Sequence, residues 1–99
     1  MSTTKKESKS VEVLHGLVVT ETEVIITVTS TGCTDKSDFE VSVQESLPLL
    51  VTFKRIGIDP CRTAPLSVDL SFSRKEVGIY SDFKVTNPFA SGPNIKVNA

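Results

Sequence analysis

The chain of 99 residues has no tryptophan and has one histidine, one methionine, one tyrosine and two cysteines. His15 is the only imidazole, and no serine or cysteine pattern marks a nucleophile for it to activate. Ser-His-Asp and Cys-His catalysis are therefore not written in the chain. No Cys-x-x-Cys or His-x-x-x-His pair occurs, and Cys33, Cys61 and one distant histidine fall short of the four ligands of a structural zinc site. There is no long apolar run: residues 47–51 are interrupted by Pro48 and are far shorter than the ~20 residues that span a bilayer. Eleven basic residues against twelve acidic ones leave a formal charge of -1, which argues against a nucleic-acid footprint or an electrostatic membrane anchor. Gly32, Gly57, Gly78 and Gly92 stand singly, one to a turn, so no glycine-rich loop cradles a phosphate. Internal repeats and glycosylation sequons are also missing, since Asn87 precedes Pro88 and neither Asn94 nor Asn98 is followed two positions later by Ser or Thr.

What is present is strand chemistry. Ser and Thr are abundant and the apolar residues are mostly Val, Leu, Ile and Phe. Period-two alternation dominates. Leu66, Val68, Leu70 and Phe72 alternate with Ser67, Asp69, Ser71 and Ser73, one face wholly apolar and the other wholly polar. Val24, Ile26 and Val28 repeat the pattern, as do Phe39, Val41 and Val43. Further strands are expected over 11–20, where Gly16 marks a bulge or break, over 49–56, around Phe83 and Val85, and at Ile95 and Val97. Ser73 and Glu76 have the spacing of a capping box that opens one helical turn ending near Gly78.

Short strands at this spacing give an all-β expectation: a seven-stranded antiparallel, immunoglobulin-like (Greek-key) β-sandwich with at most one short helical turn near 73–78. The likeness is one of architecture alone, because the core tryptophan is missing and both cysteines fall in loops. Residues 1–10 are charged without an apolar core and read as a disordered tether; 11–99 form the single domain, large enough to bury roughly 60 to 68% of its unfolded surface. The expected core is Val24, Ile26, Val28, Val41, Val51, Phe53, Val68, Leu70, Phe72 and Val85.

If successive strands reverse direction, every second loop shares one end of the sandwich. Loops 31–38, 57–65 and 87–93 then lie together, which brings Cys33 to Cys61 and predicts a disulfide. His15, near the first turn, is expected towards the opposite end. Disulfides persist outside the reducing cytosol, so the chain is expected to be extracytoplasmic, periplasmic or secreted, with Met1 standing where a leader or a lipid-anchor region has been removed.

Asp59-Pro60-Cys61-Arg62-Thr63-Ala64-Pro65 fixes the backbone around one positive charge. Two prolines set φ, Asp59 makes an Asx-turn, and Arg62 points into water. Pro60-Cys61-Arg62-Thr63 resembles the reactive loop of Kunitz-type protease inhibitors, a resemblance that implies Arg62 as bait for a trypsin-like pocket; the six-cysteine framework of that family is absent. Asp35, Asp38 and Asp59 fall in loops of one end, where they would approach a hard cation such as calcium, but loop carboxylates ordinarily turn the chain and cap donors, and no metal or cofactor is assigned. By elimination, the expected function is that of a non-enzymatic binding or accessory module with an unidentified protein partner, no nucleic acid and no membrane insertion. The contacts would be Lys36, Asp38, Arg62 and Phe89, the last held beside Pro88 in an exposed loop. A redox protein using Cys33 and Cys61 as thiols is the other class.

Overall fold

A computed structural model of the chain describes residues 10–93 and the backbone of 96–97. The expected tether lies outside the described residues, save Ser10, which already pairs in a strand; of the expected last strand, Ile95 lies outside them as well.

The protein is all-β, built as two four-stranded sheets. Its centre is the pair the alternation marks best. β3 (Glu23–Ser30) and β6 (Leu66–Ser73) run antiparallel over their full length, Val24 opposite Phe72 and Ile26 opposite Leu70, with these side chains on the buried face. β2 (Gly16–Val19) flanks β3, and β8 (Lys96–Val97) lies parallel to β6. In the other sheet, β4 (Phe39–Gln44) and β5 (Leu49–Arg55) form a hairpin. The far edge of β5 is shared: β1 (Ser10–Val11) pairs antiparallel with Arg55 and Lys54, and β7 (Phe83–Val85) pairs parallel with residues Leu49, Leu50 and Val51.

Two features differ from the antiparallel seven-stranded expectation. Among the described residues there are eight strands, because the segment expected as one strand over 11–20 is cut in two: β1 belongs to one sheet, β2 to the other, and the chain crosses between them. At the crossing His15 N donates to Thr27 O at 2.8 Å although Gly16 is the register partner of Thr27, so two residues face one, as at a bulge. A Cβ at Gly16 would stand 3.0 Å from Thr27 Oγ1, which accounts for the glycine. In addition, β7 and β8 join their sheets parallel, and strict alternation of direction does not foresee this.

The core lies between the sheets, with the Phe53 and Phe72 rings 5.4 Å apart and inclined at 52°. Seven expected members are buried, while Val41, Val68 and Val85 pack against the core from partly buried positions. Leu14, Phe39 and Ile79 join it: Leu14 from the crossing segment, Phe39 from the first position of β4, and Ile79 just past α1 (Arg74–Val77). That helical turn forms as its capping box requires. Glu76 N donates to Ser73 Oγ at 3.0 Å, Ser73 N donates to Glu76 Oε2 at 2.6 Å, and Gly78 closes it at φ 75°.

Between β1 and β7 the N–H of Phe53 on the edge of β5 would be left bare. A side chain fills the place of a strand. Phe53 N donates to Asn87 Oδ1 at 2.8 Å, while Asn87 Nδ2 donates to Phe53 O at 2.8 Å and to Glu12 O at 2.7 Å. The amide of Asn87, itself buried, thus offers the same donor and acceptor as a peptide group.

Candidate functional site at the disulfide-bearing end

The loops after β3 and β5 converge on one carboxylate. Thr31 N and Cys33 N donate to Asp59 Oδ2 at 2.8 and 3.2 Å, Ser30 Oγ and Thr34 Oγ1 donate to the same oxygen at 3.2 and 2.6 Å, and Cys61 N donates to Oδ1 at 3.0 Å. These donors, the Thr34 hydroxyl foremost, hold the Asp59 carboxyl well below the usual carboxylate range. Around this hub Cys33 and Cys61 are joined by a disulfide, their Cα atoms 5.6 Å apart. Gly32 makes the approach feasible. Its φ is +122°, and a Cβ there would stand 3.0 Å from the Cβ of Cys61.

A second polar layer lies beneath. Arg55 donates through Nε to Glu12 Oε1 at 3.2 Å and through Nη2 to Glu12 Oε2 at 2.8 Å, a two-pronged ion pair. It also reaches Thr34 Oγ1 at 3.2 Å and Thr29 O at 3.1 Å, and its guanidinium lies 4.8 Å from the centre of the Phe39 ring. Thr34 thereby links the Arg55 guanidinium to the Asp59 carboxylate. Sequence reasoning missed Glu12, Arg55 and Thr34, because the ion pair joins residues 43 positions apart with no periodic signal between them.

The four expected contact residues do not gather at one point. Arg62 is exposed in the bridged loop, with no polar partner among the described residues. Lys36 and Asp38 sit in a 3-10 turn, Lys36–Asp38, that crosses from sheet to sheet. There Lys36 Nζ donates to Glu76 at 2.8 Å, which lowers the Glu76 pKa, and stands 5.2 Å from the centre of the Phe72 ring. Asp38 caps its own turn by accepting from Asp35 N at 3.0 Å, and its carbonyl takes Ile56 N and Gly57 N. Phe89 lies by the crossing segment, bridged to Leu14 through its backbone, and is 53% exposed.

His15 is not at the opposite end. Its Nδ1 donates to Ala90 O at 2.9 Å and its Nε2 meets Thr29 Oγ1 at 2.7 Å, near the end of β3 that leads to Cys33. β2 runs antiparallel to β3 with Gly16 opposite Thr27, so His15, one residue before Gly16, falls at the Thr29 end of β3.

The sulfurs of Cys33 and Cys61 and an Asp59 oxygen lie within 4.8 Å of one another. The sulfurs are bonded to each other and the carboxylate is surrounded by donors, so this group serves as a knot in the backbone and not as a ligand set. Asp35 and Asp38 spend carboxylate oxygens on the 3-10 turn and do not converge with Asp59. Comparison with family models, curated proteins and solved structures finds no match to this chain. The bridge fits an oxidising, extracytoplasmic environment, and among the described residues no helix is long and apolar enough to cross a membrane.

Proposed function

We propose that the chain is a non-enzymatic binding module of a periplasmic or secreted compartment and that it meets a protein partner at the disulfide-bearing end. The architecture is read as immunoglobulin-like in its broad plan, two packed sheets centred on the β3–β6 pair, modified by the two parallel closures. The observation that carries the functional reading is Arg62, an exposed guanidinium without a partner among the described residues, standing next to a cysteine whose backbone is held by the bridge and by Asp59. A charge presented on a fixed loop loses little entropy on binding, and its forked donors suit a carboxylate of the partner. Phe89 supplies an apolar contact along the flank, whereas Lys36 and Asp38 are engaged within the fold and contribute less.

The test is affinity capture from an extracytoplasmic extract with the parent, Arg62→Ala and Phe89→Ala, alongside thermal melts. The expected result is an unchanged melting temperature and a partner held by the parent but lost with Arg62→Ala. Identical capture by parent and Arg62→Ala overturns the assignment. The exposure of Arg62 beside a bridged cysteine favours one further reading, a serine-protease inhibitor with Arg62 as bait, and inhibition of trypsin at micromolar protein would select it. Thiols that titrate in the native protein without reductant would select redox chemistry at Cys33 and Cys61 instead.

A further inference from the structure

β2 is an outer strand, and its free edge has the character of an interface. Its register with β3, together with the 2.9 Å bond from Thr20 N to Glu23 O, sets the phase of the ladder: Gly16 and Val18 turn their backbone groups to β3. In an antiparallel pair alternate residues point the other way, so Leu17 and Val19 direct N–H and C=O outward, where no strand pairs with them among the described residues. Edge strands are normally defended by charge, and the others of three residues or more carry it: Glu40 in β4 and Lys84 in β7. β2, Gly-Leu-Val-Val, has none. Val18 and Val19 are 55% and 44% exposed. Behind the strand, Leu17 and Val19 line a groove of about 350 Å³ with Phe83 and Val85, which Arg74 and Asp82 also border.

We propose that β2 pairs with β2 of a second copy, antiparallel about a twofold axis at Val18, so that one sheet runs through both chains. Two outward-facing residues separated by one residue are self-complementary about such an axis. Leu17 of each copy meets Val19 of the other, and four N–H···O bonds form. On one face the two Val18 side chains touch; on the other, Leu17 and Val19 of both copies cover the two grooves. Charge suits a second copy. The paired strand is neutral and each chain carries only -1, so the copies scarcely repel. Among the described residues each chain has one such edge, so the contact closes at two copies.

Sedimentation equilibrium from low micromolar to millimolar protein should show a mass rising towards twice 10.7 kDa. Val18→Lys, at an exposed position, places two like charges at the axis and should weaken the dimer by roughly tenfold or more while leaving the melt of the dilute protein unchanged. Register is tested by Val18→Cys. In this pairing the two Val18 Cα atoms are about 4.5 Å apart, within disulfide range. Oxidised glutathione, accepting the two electrons and two protons, should then link the chains, and should not link them in Ile58→Cys, exposed elsewhere. A parent that stays monomeric at millimolar concentration overturns the proposal, as does a dimer that neither weakens with Val18→Lys nor cross-links through Val18→Cys. If Val18→Lys proves unstable, the cross-linking contrast decides.

Discussion

Replacing Asn87 by alanine removes a side chain that stands in for a strand, and the structure says how much should be lost. Phe53 N–H, buried, loses its partner outright, and an orphaned buried donor costs about 1–3 kcal/mol. The Phe53 carbonyl keeps the bond from Glu12 N at 3.1 Å, so it and the Glu12 carbonyl each lose one ordinary hydrogen bond, about 0.5–1.5 kcal/mol apiece. Asn87→Ala should therefore cost about 2–6 kcal/mol, with a midpoint of about 4 kcal/mol, out of a total stability of roughly 5–15 kcal/mol for a domain of this kind. At ~4–8 °C per kcal/mol, a loss of about 4 kcal/mol lowers the melting temperature by about 16–32 °C. Calorimetry measures that fall, and hydrogen exchange at the Phe53 amide localises it. Asn87→Asp fares no better at neutral pH, because it turns a carboxylate oxygen towards two carbonyls. A loss of less than about 1 kcal/mol with the Phe53 amide still protected would refute the account of Asn87 as a surrogate strand.

Gly32→Ala should lower the urea midpoint by an amount equivalent to about 1–3 kcal/mol, because φ +122° is strained for any side chain and the new Cβ meets Cys61. Opening the bridge with Cys33→Ala and Cys61→Ala should cost roughly 3–4 kcal/mol by chain entropy, measured by denaturant melts against the oxidised parent. Asp59 has a lowered pKa in the folded state, so its contribution is whole above the ordinary carboxylate value of 3.8 and is lost as the pH falls from there towards the lowered value. Acid titration of stability should accordingly be less steep in Asp59→Asn below that pH; an unchanged slope removes Asp59 as the hub of the bridged end.

The parts of the fold readable in the sequence are those fixed by near neighbours along the chain. Alternation located β3, β4 and β6 because one face of each packs against the core, fully or in part, and a residue out of phase there would place an apolar side chain in water. Ser73 and Glu76 announced α1 because a capping box is contained in four residues. The bridge followed from loop order. What escaped depends on partners far along the chain. Nothing near Asn87 tells that its amide will meet Phe53, 34 positions away, and nothing near Glu12 names Arg55. Gly16 signalled a break, but whether the chain then stays in its sheet or changes sheets is decided by which edge lies bare. Of the contact residues, Arg62 and Phe89 are exposed as their loops suggested, whereas Lys36 and Asp38 are engaged by a 3-10 turn whose cap spans only Asp35 to Asp38.

The bridge between Cys33 and Cys61 also sets how far the chain can be drawn out. Under a pulling force applied at its two ends, tension passes from one cysteine to the other through the sulfurs, and the segment between these residues, which lie 28 positions apart and enclose all of β4 and β5, bears none of it. At ~3.3–3.6 Å per residue, this shortens the taut chain by roughly 90 to 100 Å relative to the reduced form. The oxidised domain is thus a tether with a stop: β1 and β7 can be stripped away while the β4–β5 hairpin stays unloaded, ready to receive them again when the pull is released.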